Sequence, residues 1–62
     1  MTREQQLAIV TALEDFSRRL EVEASAFARL PEPRARRLAR ERLNQAEGLE
    51  RLAADVLKEM RA

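Results

Sequence analysis

The sequence predicts an all-α protein: an antiparallel two-helix hairpin that dimerises into a four-helix bundle. Three observations predict it. Ala, Leu, Arg and Glu dominate the 62 residues, and all four are strong helix formers. The breakers are one Gly and two Pro, and the two Pro fall together at Pro31 and Pro33. The apolar residues on either side of that pair recur at helical spacing, and in the second segment they cover more of the helix than one neighbour can hide.

The first helix is expected at about residues 3–29. Thr2 followed by Gln5 is a capping-box pattern, in which the hydroxyl accepts from an early N–H and the amide side chain returns a bond to the cap. No breaker follows until Pro31. Ile9, Leu13, Phe16, Leu20, Phe27 and Leu30 step by three and four, with Glu23 standing in the gap, and Val10 and Ala24 flank the stripe. This near-heptad spacing holds one face of the helix toward a partner.

Residues 30–33 read as the turn. Pro31 pushes Leu30 out of the α region. Pro33 suits the first position of a helix, where its missing N–H would have no partner anyway. The second helix is expected at about 33–61. So short a connection allows either an antiparallel hairpin or a sharp kink in one long rod, and the two amphipathic faces that flank it favour the hairpin, a single domain over residues 1–62. Ala35, Leu38, Ala39, Ala46, Leu49, Leu52, Ala53, Val56, Leu57 and Met60 spread over about half its circumference at 100° per residue. A second hairpin is the simplest cover for that width. The expected dimer core is Ile9, Leu13, Phe16, Leu20, Phe27, Leu38, Leu49, Leu52, Val56 and Met60. Gly48 admits three readings: tolerance inside a helix, close approach of another backbone, or a break between helices 33–47 and 49–61.

Two charges interrupt the apolar stripes. Glu23 occupies a core-like position of the first helix, and Arg42 lies near the centre of the apolar face of the second. In a hairpin turning near residue 32, residue i faces roughly 64 − i, so the two exceptions fall opposite one another. A partly buried Glu23–Arg42 ion pair is expected, serving register more than stability because desolvation opposes the Coulomb gain. Ordinary surface pairs are expected at i,i+4: Glu14–Arg18, Asp15–Arg19, Arg37–Glu41 and Glu47–Arg51.

Composition narrows function by exclusion. The chain has no His, Cys, Trp or Tyr. It lacks the usual groups for proton transfer and covalent catalysis, and neither thiolate nor imidazole is present to hold a metal. No catalytic, cofactor or metal site is expected. The net charge is +1, but residues 34–42 carry five Arg against Glu41 alone. With Arg29 they form a basic cluster around the turn. Arg recognises phosphate through a planar fork of donors, so RNA or DNA binding through Arg29–Arg42 is the alternative function. No Tyr or Trp is available to stack on bases.

The leading expectation is a non-enzymatic regulator, inhibitor or adaptor that binds a protein target through the hairpin surface as a homodimer. Candidate partner-binding residues are Arg34, Arg36, Arg37 and Arg40 for an acidic partner, and the helix-2 flank at Leu43, Gly48 and Leu57 for an apolar one. No apolar run approaches the length of a membrane span, and no signal-peptide pattern is read, so the expected location is the cytoplasm.

Overall fold

The computed structural model describes residues 1–61. Two helices, α1 (Arg3–Ala28) and α2 (Pro33–Arg61), pack against each other as a hairpin. The molecule measures 46 × 15 × 12 Å.

The helix ends form where local chemistry places them. The Gln5 backbone N–H donates to Thr2 Oγ1 at 3.1 Å, and the Thr2 N–H donates to Gln5 Oε1 at 2.9 Å. Both arms of the capping box are therefore closed. At the other end of α1, the Arg29 and Leu30 N–H groups donate to the Ala26 and Phe27 carbonyls. These tighter bonds end the helix one residue before the expected boundary. The Glu32 carbonyl accepts from Ala35 and Arg36, with Pro33 at the first helical position, where it lacks nothing.

The seam between the helices differs from the expected one. Its fully buried residues are Val10, Ser17, Leu20 and Ala24 on α1, and Ala35, Ala39, Ala46 and Ala53 on α2. Val10, Ser17 and Ala24 are spaced by seven, as are Ala39, Ala46 and Ala53. Ser17 Oγ lies 3.1 Å from the Ala46 carbonyl oxygen, so residue i of α1 lies level with residue 63 − i of α2. The two heptad rows thus meet rung by rung: Val10 with Ala53, Ser17 with Ala46, Ala24 with Ala39. A methyl group or a hydroxymethyl in every rung lets the backbones approach closely. Apart from Leu20, the large side chains lie beside this seam, most of them on one side of it. Phe16 is 53% exposed and Leu52 50%. Leu13, Phe27, Leu38, Leu49, Val56 and Met60 are partly covered. Of the ten residues expected as core, Leu20 alone is fully buried by the hairpin.

α2 runs through Gly48 without a break and without a positive φ. A Cβ built there meets nothing within 4 Å, so within the hairpin the glycine is neither a turn nor a close approach. Gly48→Ala is expected to stabilise the hairpin by about 1 kcal/mol, the usual helix-interior difference, measured by urea unfolding at low protein concentration. A loss of stability would show that the position meets something the hairpin alone does not contain.

Candidate interaction surface

The narrow seam leaves the hairpin with two unlike sides. In an antiparallel pair, residues displaced in the same rotational sense from the seam share a side. On one side lie Ile9, Leu13 and Phe16 from α1 with Leu49, Leu52 and Val56 from α2. They form an apolar strip over the half of the molecule away from the turn. Ile9, Phe16 and Leu52 are each more than a third exposed.

Toward the turn the strip ends at a charged band. Arg42 Nε donates to Glu23 Oε2 at 3.0 Å, and the Arg42 guanidinium carbon lies 6.0 Å from the Phe27 ring centroid. The Arg42 side chain is 29% exposed and that of Glu23 54%. The pair therefore sits on the rim of the apolar side, with Arg42 laid over Phe27, and Glu23 is more solvated than its heptad position suggests. At this exposure the ion pair contributes well under 1 kcal/mol. Glu23→Leu and Arg42→Leu are each expected to cost more than the double replacement, because each single variant strands one charge beside apolar surface. A double variant less stable than either single one would disprove the coupling; unfolding of all four proteins measures it.

The opposite side is mixed, with Leu7, Leu43 and Leu57 set among polar groups. Ser17 is 1% exposed, and its Oγ also lies 3.1 Å from Glu50 Oε1. Its single proton has two acceptors and the buried hydroxyl is satisfied. So enclosed a hydroxyl is unavailable as a nucleophile. The Glu21 carboxyl is held above its ordinary value of 4.5, first by a hydrogen bond with Glu50 and then by desolvation. Raised means that the folded chain binds this proton more tightly than the unfolded chain. Stability from this group is therefore full below the ordinary value and is lost as pH rises through the raised one. Glu21→Gln is expected to be more stable than the wild type at neutral pH, with the difference shrinking on acidification toward pH 4.5. Equal thermal midpoints across that window would contradict it. A shallow open groove of about 340 Å³ beside Glu50 is lined by Glu14, Arg18, Ala53, Ala54 and Leu57. Among the described residues, no group of three or more Asp or Glu converges as a metal site.

The sequence-derived partner residues do not form one surface. At 100° per residue, Arg34 and Arg37 stand along the edge of the apolar side. Arg36 and Arg40 point outward and toward the mixed side, and Arg42 turns inward over Phe27. Arg29, Arg34, Arg36, Arg37 and Arg40 are all exposed. They encircle the turn instead of lining one face. Leu43 and Leu57 belong to the mixed side, while Gly48 lies on the far edge of α2, so these three are not a common flank. Of the four expected i,i+4 pairs, Asp15–Arg19 closes at 3.1 Å, with Arg18 at 3.9 Å from the same carboxylate. The other three lie beyond 4.0 Å among the described residues. The exposed strip of large apolar side chains was missed as a separate layer. Its sequence signal is the pair of heptad rows of small residues lying next to the large ones.

Fold and surface together define a helical hairpin with a closed small-residue seam and one open apolar side. No protein-family model, characterised protein or solved structure matches the chain. Among the described residues, no helix is long and apolar enough to cross a membrane.

Proposed function

We propose that this chain is a non-enzymatic interaction protein, a regulator or adaptor, that works as a homodimer in a four-helix bundle and meets its protein target through the hairpin surface. The apolar side carries this reading. A compact monomer of 7.2 kDa exposes about 4,100 Å² by the usual scaling of area with mass. The hairpin exposes 5167 Å². The excess, about 1,000 Å², is close to the roughly 800 Å² that each partner contributes to a standard protein interface. A second copy offers a matching surface, and a target's amphipathic helix would find the same strip when the dimer opens.

The test compares capture from the native host by the wild type and by a Phe16→Glu/Leu52→Glu variant. A protein retained by the first and lost with the second supports the reading. An unchanged set of captured proteins contradicts it.

A second reading, phosphate binding, is favoured by one observation: none of the five outward Arg around the turn has an acidic side chain within 4.0 Å among the described residues. Fluorescence anisotropy with an RNA hairpin and a DNA duplex tests it at about 50 and 200 mM salt, across which phosphate contacts weaken steeply. Binding that collapses at the higher salt, and that disappears when Arg34, Arg36, Arg37 and Arg40 become Gln, would put nucleic acid first.

A further inference from the structure

We propose that two copies pack apolar side to apolar side in antiparallel order, the turn of each over the open end of the other, about a two-fold axis level with Ser17 and Ala46. The proposal rests on the dimer reading above and adds its orientation and register: the axis lays the strip of each copy over Leu20, Leu38 and the Glu23–Arg42 pair on the apolar side of the other's turn half.

The hairpin is electrically lopsided along its length. The half around the turn, residues 17–46, holds eight basic and four acidic side chains, and the remainder holds four basic and seven acidic. The ends therefore carry about +4 and −3. Over 46 Å, far beyond the roughly 8 Å reach of charge in physiological salt, each end responds to what lies beside it. Parallel packing sets basic end against basic end. Antiparallel packing sets each against its complement.

The edge of α2 gives the register. Beside the apolar strip, this edge carries Arg34, Arg37 and Glu41 near the turn and Asp55 and Glu59 near the open end. In the antiparallel arrangement α2 lies against α2. An axis level with Ala46 then places Arg37 opposite Asp55 of the second copy and Arg34 within one residue of Glu59. Both pairs are of opposite sign, and the two-fold repeats each one. In parallel packing the edge of α2 lies against α1, and Arg34, Arg37, Asp55 and Glu59 come level with Arg29, Ala26, Ala8 and Glu4. No opposite charge there answers them. The antiparallel order also holds the two basic turns at opposite ends of the bundle, so they never merge into one phosphate-binding surface.

The chain has no Cys, so engineered thiols alone can form a disulfide. Gln45 is exposed, lies on the apolar side and sits one residue from the level of the axis. Gln45→Cys is expected to give a disulfide-linked dimer on mild oxidation, and a Gln5→Cys/Glu59→Cys chain is expected to give none between copies. The reverse pattern, both links, or neither link in a protein that sediments as a dimer, would overturn the orientation while leaving the dimer standing. A monomer at every concentration would remove the dimer, and the orientation with it. Charge exchange gives an independent reading. Arg34→Glu/Arg37→Glu should weaken self-association roughly tenfold, as expected for several surface pairs lost together. Adding Asp55→Arg/Glu59→Arg to the same chain should restore it. Failure of that restoration would also overturn the proposal.

Discussion

Phe16→Glu/Leu52→Glu is expected to convert the protein into a monomer with helices still formed but less stable. Both side chains are about half exposed on the single hairpin, so about half of the 1.5–3 kcal/mol available from full burial of each remains to be gained. Two residues on each of two copies then account for about 3–6 kcal/mol, or two to four orders of magnitude in the dissociation constant. The added carboxylates would stand desolvated in any remaining interface and oppose it further. The signature is in concentration dependence. A dimer's unfolding midpoint climbs with protein concentration by mass action; that of the variant should be flat. A variant that still associates as tightly as the wild type would show that the apolar side is not where the copies meet.

Ala46→Leu is expected to be the most damaging single substitution within the hairpin. Ala46 is buried directly opposite Ser17, at the middle rung of the seam. Three further carbons there have no space to enter, and overpacking of this kind costs about 1–3 kcal/mol. Forcing the backbones apart also withdraws the Ala46 carbonyl from the Ser17 hydroxyl, adding up to about 1 kcal/mol for the lost bond. A total of about 1–4 kcal/mol is a large share of what so small a domain holds. Ala26→Leu, on the exposed surface of α1, is the matched control and should stay within about 0.5 kcal/mol of the wild type. Urea unfolding followed by helical circular dichroism compares them. Equal stability of the two variants would mean that the helices do not meet at Ala46.

The helices and their register are strongly written in the residues. Pro31 and Pro33 place the turn, Thr2 with Gln5 starts α1, and the two misplaced charges, Glu23 and Arg42, locate one helix against the other to within two residues. Which layer forms the seam is not written so directly. Periodicity marks Phe16, Leu49, Leu52 and Val56 as residues that seek cover, but it does not say what covers them. Size decides that question: Val10, Ser17 and Ala24 facing Ala53, Ala46 and Ala39 can approach closely, and the large side chains then have one open side left. Ser17, polar by type, reads as a surface residue until its spacing from Val10 and Ala24 is noticed. The Arg cluster misleads for a related reason. Nearness in sequence around the turn becomes, on a helix, dispersion around its circumference.

The most direct test of the account is sedimentation equilibrium of the wild-type protein over a wide range of concentrations. The apolar side predicts a reversible monomer–dimer equilibrium, with the mass rising from 7.2 kDa to twice that value and no further. A mass that stays at the monomer's to the limit of solubility would contradict it, and the strip of Ile9, Phe16 and Leu52 would then have no second copy to cover it.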